Sequence, residues 1–121
     1  MKRALVCEDD GPIRSLVTHV VQREGFKVDA VGDGAEALDK LGVDHYDLLI
    51  LDLMMPQVDG FEVLRRLREQ RPAQLQQVIV MTAASQNVAG FVDPICTFLP
   101  KPFDIDRLTA AVRQCARLAD K

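Results

Sequence analysis

The sequence of 121 residues lacks several features that mark common functional classes. No apolar run approaches the ~20 residues that a membrane-spanning helix needs. The N-terminal stretch MKRALVCEDD reaches acidic residues after only four apolar ones, which excludes a secretory signal. The net charge is -3 at pH 7, so no basic excess is available for phosphate backbones. We therefore expect neither membrane contact nor direct nucleic-acid binding.

Cysteine and histidine are scarce, and their spacing suits no metal or redox centre. Cys7, Cys96 and Cys115 are odd in number and form no CxxC motif. We therefore expect buried free thiols in a reducing compartment, and neither a disulfide nor a zinc site. His19 and His45 have no ligand spacing. These absences favour a cytoplasmic protein.

Strand-like apolar runs alternate with helical patterns along the chain. The runs ALVC, LLIL and VIVM are continuously apolar, as central parallel strands are, whereas FKVDAV alternates and TFL leads into two prolines. Between the runs, Asp10, Asp33 and Asp104 stand where helix N-caps are expected. Alternating strands and helices predict an α/β fold with a parallel sheet covered on both faces.

The same runs predict the order of the strands. The second and fifth runs suit the edges of the sheet, which gives the flavodoxin-like order 2-1-3-4-5 in a three-layer sandwich. We expect one domain over residues 1–121. Asp93-Pro94 predicts that the helix between the fourth and fifth strands is short or irregular.

Ionisable residues stand at the ends of these strands. Asp52 follows four apolar residues, and burying a lone carboxylate is costly unless it is neutralised or coordinated. Because the first and third strands are neighbours, Glu8 and Asp9 should lie close to Asp52. Two such charges ~5 Å apart repel by roughly 3 kcal/mol at an effective dielectric of about 20. The cluster therefore needs cations, which Lys101 and a bound Mg²⁺ would supply.

Four motifs in a fixed order resemble the receiver domain of two-component response regulators. They are EDD (8–10), LILDLMMPQVDG (49–60), MTA (81–83) and PKPF (100–103), and the resemblance covers the whole chain. It implies that Asp52 accepts a phosphoryl group from a phosphohistidine partner. It also implies that Mg²⁺ is held by the carboxylates of Glu8, Asp9 and Asp52 and by the backbone carbonyl of Met54.

The resemblance assigns three further residues. Lys101 would pair with the phosphoryl oxygens, and Thr82 would move toward them after transfer. Phe98 stands at the aromatic position that responds to this movement. The resemblance also implies a cis peptide bond between Lys101 and Pro102, which X-Pro energetics permit.

The implied function is a phosphorylation-dependent signalling switch of a two-component or phosphorelay system. Its donor would be a sensor histidine kinase or a histidine phosphotransfer protein, and its output a downstream protein or a C-terminal output domain. The domain would promote only its own phosphotransfer and dephosphorylation, so it is not an enzyme. The alternative is a pseudoreceiver, an interaction module that is never phosphorylated. An aspartate-nucleophile hydrolase is disfavoured because Met54 occupies the position of the acid that such enzymes need.

Overall fold

The computed structural model describes residues 1–83 and 94–119, with side chains described as far as Ala116. Five strands and four helices follow one another along the described residues, with a short 3-10 helix before the fourth strand. The strands are β1 (Arg3–Cys7), β2 (Lys27–Val31), β3 (Leu48–Asp52), β4 (Val78–Ala83) and β5 (Thr97–Lys101); the helices are α1 (Gly11–Arg23), α2 (Gly34–Val43), α3 (Gly60–Gln70) and α4 (Ile105–Ala119); the 3-10 helix is Pro72–Gln77.

The strands form one parallel sheet in the order β2-β1-β3-β4-β5, which confirms the predicted flavodoxin-like topology. The register places Cys7 beside Leu51 and Thr82 beside Pro100. The carboxyl ends of all five strands therefore meet at one rim. The helix predicted between β4 and β5 falls on residues 84–93, outside the described residues.

Apolar side chains pack on both faces of the sheet, which gives the predicted three layers. On one face the sheet packs against α2 and α3, and on the other against α1 and α4. Leu48 to Leu51 are fully buried, with alternate residues in the two cores. Each such leucine contributes roughly 1.5–3 kcal/mol through burial. None of the helices in the described ranges is long and apolar enough to cross a membrane.

Aspartates cap the helices at the rim, as predicted. The side chain of Asp10 accepts a hydrogen bond from the Ile13 amide at 3.0 Å, and that of Asp33 accepts one from the Glu36 amide at 2.8 Å. Asp104 caps α4 in the same way. Asp59 caps α3, which the sequence analysis did not predict. These caps satisfy amide groups that a helix leaves unpaired in its first turn.

The prediction of free thiols is wrong for two of the three cysteines. Cys96, one residue before β5, forms a disulfide with Cys115 on the buried face of α4, with a Cα–Cα distance of 6.0 Å. A separation of 19 residues matches no disulfide motif, and the two cysteines come together because α4 packs beside β5. Cys7 is a free thiol in the core, where burial raises its pKa.

Gly34 begins α2 in direct contact with the loop that follows β3. A Cβ atom at this position would overlap the carbonyl oxygen of Val58. We expect Gly34→Ala to lower the free energy of unfolding by about 1–3 kcal/mol, because the backbone of the loop has to move. Urea denaturation measures this change.

Gly42 supplies the matched control within α2. A Cβ atom there would meet nothing within 4 Å. Gly42→Ala should therefore leave stability unchanged or raise it by about 0.5–1 kcal/mol, since alanine favours the helix. Equal stability of the two variants would contradict the steric role of Gly34.

Candidate functional site

Three carboxylates converge at the carboxyl ends of β1 and β3. Glu8 follows β1 and is fully buried, Asp52 ends β3 with 4% of its surface exposed, and Asp9 is exposed. Each of the three offers an oxygen atom within 4.8 Å of the others. The register explains this arrangement, because Cys7 and Leu51 pair directly before them. The predicted acidic cluster is therefore present in the structure.

Lys101 lies between two of these acids. Its Nζ atom is 2.5 Å from Glu8 Oε1 and 3.0 Å from Asp52 Oδ2. The apolar run TFL predicts a fifth strand that ends before Lys101, but the ladder with β4 continues and makes Lys101 the last residue of β5. Pro100 is tolerated inside β5 because this strand is at the edge of the sheet. The Lys101-Pro102 peptide bond is cis, as predicted.

Burial and charge shift the protonation of this cluster. Burial raises the pKa of Glu8 to about 7, and its hydrogen bond with Asp52 acts in the same direction, while Lys101 opposes both. Burial lowers the pKa of Lys101, but the hydrogen bonds to Glu8 and Asp52 outweigh it, so the pKa lies above its ordinary value. Lys101 therefore stays charged, whereas Glu8 takes up a proton more readily than an ordinary glutamate does. An additional cation beside Glu8 would lower the pKa of this carboxyl group again.

The loop after β3 holds Asp52 from the other side. The amide of Met54 donates a hydrogen bond to Asp52 Oδ1 at 3.0 Å, so the two carboxylate oxygens have different partners. Gly60 permits a close return of the chain, since a Cβ there would lie 2.5 Å from the carbonyl oxygen of Asp52. Gln57 has a φ of 67°, which the sequence did not signal because glycine or asparagine usually occupies that region.

Thr82 and Phe98 lie on the neighbouring strands β4 and β5. Thr82 is 4% exposed and stands beside Pro100, while Phe98 stands beside Val80. Because side chains alternate along a strand, Thr82 and Phe98 lie on the same face of the sheet. Phe98 is partly buried and packs against the core on the α2 and α3 side. The two predicted switch residues are therefore diagonal neighbours.

The acidic cluster has the ligand chemistry that suits Mg²⁺. Its donors are carboxylate oxygens from Glu8, Asp9 and Asp52, and Mg²⁺ prefers a few such ligands with room for water and phosphate. Among the residues that the structure describes, Lys101 forms ion pairs with two of the three acids, so the cluster favours a further cation. Met54 has an exposed side chain and donates its amide to Asp52, and its carbonyl as a ligand stays a prediction.

Arg14 also contacts this site, although the sequence analysis did not select it. Its Nη1 atom donates a hydrogen bond to the carbonyl oxygen of Glu8 at 2.9 Å. Its position could have indicated this contact, because Arg14 lies in the first turn of α1, four residues after Asp10 of the EDD motif. Side chains at such positions point back toward the start of the helix, and so toward that motif.

A comparison with known families supplies independent information on the chain as a whole. The family model described as "Response regulator receiver domain" matches residues 4–113. The chain is 38% identical over 118 residues to Response regulator MprA of Mycobacterium avium, an alignment that covers 95% of the chain and 51% of that protein. It is 37% identical to Transcriptional regulatory protein TcrA of Mycobacterium tuberculosis, an alignment that covers 95% of the chain and 46% of that protein. The chain thus spans about half the length of these curated relatives.

Solved structures give the same result for the fold. The receiver domain of the Francisella response regulator 1452 superposes with a TM-score of 0.84 at 29% identity, with 98% of each chain covered. Chemotaxis response regulator CheY4 of Vibrio cholerae superposes with a TM-score of 0.82 at 26% identity, with 95% of this chain and 98% of that chain covered.

Proposed function

Because the chain belongs to the response regulator receiver domain family, we propose that it is a phosphorylation-dependent switch that accepts a phosphoryl group on Asp52. We also propose that residues 1–121 form a single receiver domain. One observation carries the site assignment: the buried carboxylate of Asp52 lies between Lys101 and the Met54 amide, beside two further acids. A purely structural acid would not need this cluster of like charges.

The proposed reaction is an in-line transfer from a phosphohistidine. An oxygen of Asp52 attacks phosphorus, the P–N bond breaks, and the imidazole nitrogen leaves with the electron pair. Lys101 already contacts Asp52 Oδ2 and stabilises the negative charge on the phosphoryl oxygens. Glu8, Asp9, Asp52 and the Met54 carbonyl would hold Mg²⁺, which would supply the positive charge that the transferring group needs.

The switch itself is proposed to involve Thr82 and Phe98. A phosphoryl group on Asp52 adds negative charge and acceptor oxygens at the rim. The hydroxyl of Thr82, on the strand next to β3, would turn toward these oxygens and leave space along β4. Phe98 is its diagonal neighbour on β5 and would move into that space. The local charge change would thus reach the partly buried surface around β5.

We propose a sensor histidine kinase or a histidine phosphotransfer protein as the donor. A cavity of about 310 Å³ adjoins Lys101 and is lined mainly by apolar side chains, Ile13, Leu16, Pro102 and Phe103 among them. Leu16 is 37% exposed. This surface lies beside the reactive acid, where a protein donor has to dock. The output is proposed to pass to a downstream protein or to an output domain.

The function is tested by incubating the chain with acetyl phosphate and Mg²⁺ and measuring the intact mass. We expect one added phosphoryl group, loss of the group on treatment with hydroxylamine, and no uptake when Mg²⁺ is removed by a chelator. Hydroxylamine cleaves an acyl phosphate and spares phosphate esters of serine and threonine.

The alternatives predict different results in the same assay. A pseudoreceiver would take up no group from saturating donor, and a hydrolase would turn over many phosphomonoesters without retaining one. A histidine-phosphorylated phosphotransfer protein in place of acetyl phosphate tests the donor class. Transfer from acetyl phosphate but from no phosphohistidine protein would contradict the proposed partner and leave the proposed site standing.

A further inference from the structure

Arg14 forms its hydrogen bonds with the backbone of the acidic motif. Its Nη1 atom donates to the carbonyl oxygen of Glu8 at 2.9 Å and, more weakly, to that of Asp9 at 3.4 Å. In the part of the chain that the structure describes, its guanidinium forms no ion pair with a carboxylate. The side chain of Arg14 therefore contacts the backbone of two of the three acidic residues, and not their carboxylates.

Two glycines lie beside this guanidinium, and Gly32 leaves space for it. A Cβ atom at Gly32 would lie 3.3 Å from Nη1, and one at Gly11 would lie 3.8 Å from Nη2. Gly32 follows β2 and Gly11 begins α1, so Arg14 lies between two turns at the rim of the sheet. As a residue, Arg14 is half-buried there.

The carbonyls that Arg14 contacts lie just beyond the end of the hydrogen-bonded ladder between β1 and β2. The amide of Glu8 still bonds to the Val31 carbonyl at 3.1 Å, which extends the ladder between β1 and β2. Beyond that bond, α1 begins only at Gly11. Arg14 Nη1 donates to the Glu8 and Asp9 carbonyls, which lie between these two elements.

We propose that Arg14 is a positioning residue for the cation site, because it fixes the backbone that carries the Glu8 and Asp9 carboxylates. The inference rests on the proposed function, since it assigns the cluster to a divalent cation. Arg14 touches neither the phosphoryl acceptor nor the leaving group. Residues that orient metal ligands typically contribute about 10- to 100-fold in metal affinity.

A positioning role and a purely electrostatic role of Arg14 predict opposite changes in Mg²⁺ affinity for the same substitution. Arg14 is positively charged and lies near the acids, so its charge alone opposes the binding of a cation. If charge were its whole contribution, Arg14→Gln would bind Mg²⁺ more tightly than the unaltered chain. If Arg14 positions the ligands, Arg14→Gln should bind Mg²⁺ at least about tenfold more weakly.

The test is a calorimetric titration of the full chain with Mg²⁺ alone, without a phosphodonor. Arg14→Gln is compared with the unaltered chain, with Arg14→Lys and with Arg113→Gln. Arg14→Lys keeps the charge but has one nitrogen to share between two carbonyls, so its Kd should be intermediate. Arg113 pairs with Glu24 near the end of α1, away from the rim, and its replacement should leave the Kd unchanged.

Each outcome of the titration bears on a different statement. A Kd for Arg14→Gln that equals or falls below that of the unaltered chain overturns the positioning role and leaves the proposed function intact. Absence of Mg²⁺ binding by the unaltered chain overturns the cation site itself. Melting in chelator shows which variants are folded. Should Arg14→Gln not fold, Arg14→Lys carries the test, and an unchanged Kd overturns the role.

Discussion

Asp52→Asn should take up no phosphoryl group from acetyl phosphate under conditions that label the unaltered chain completely. The amide of asparagine is a poor nucleophile, yet it has nearly the shape of the carboxylate and can still accept from the Met54 amide, the partner of Asp52 Oδ1. The loss should therefore be chemical, with the fold kept. Intact mass after incubation with Mg²⁺ and donor measures it.

Stability as a function of pH supplies the control for this variant. The raised pKa of Glu8 means that the folded chain without metal binds a proton that the unfolded chain has lost. Its free energy of unfolding should therefore fall as the pH rises from about 4.5 to about 7. Asp52 is one cause of the raised pKa, so this fall should be smaller in Asp52→Asn. Full labelling of a folded Asp52→Asn would show that another residue is the acceptor.

Removing the disulfide should lower the free energy of unfolding by about 3 kcal/mol. The bridge joins Cys96 to Cys115 over a separation of 19 residues, and closing a loop of that size restricts the unfolded chain by roughly this amount. The double variant Cys96→Ser/Cys115→Ser and the unaltered chain in reductant should lose similar stability. Urea denaturation with and without reductant measures both.

Cys7 provides the matched control for the bridge. It is a free thiol in the core, so Cys7→Ala removes a sulfur without opening a disulfide. The stability of this variant should still fall on reduction, whereas that of the double variant should not respond. Titration of the denatured, unreduced chain should find one thiol. Three thiols, with no effect of reductant on stability, would contradict the bridge.

The position of the acidic cluster was predictable from the strand pattern, whereas the roles of Lys101, Thr82 and Phe98 rested on the resemblance to receiver domains. A continuous apolar run fixes the start and end of β3, and the order of the sheet then places Asp52 beside Glu8 and Asp9. Lys101 belongs to a motif just after an apolar run, so its arrival at the same rim was also predictable. The caps formed by Asp10, Asp33 and Asp104 followed from single aspartates before helical patterns.

Other features depend on contacts between residues that no local pattern connects. The pairing of Cys96 with Cys115 arises from the packing of α4 beside β5. The proposed role of Arg14 depends on its contact with the backbone of Glu8 and on the space left at Gly32, which is distant from Arg14 in sequence. The positive φ of Gln57 belongs to the loop between β3 and α3, and glutamine itself gives no signal of it.

Pro100 has a consequence for how the molecule meets its neighbours. β5 forms one edge of the sheet, and the exposed Pro100 has no N–H group to offer an incoming strand. At the opposite edge, β2 carries the charged residues Lys27 and Asp29. Proline and charge at the margins of a sheet oppose strand-by-strand self-assembly. Both edges of this sheet are thereby protected against pairing with the strands of other copies.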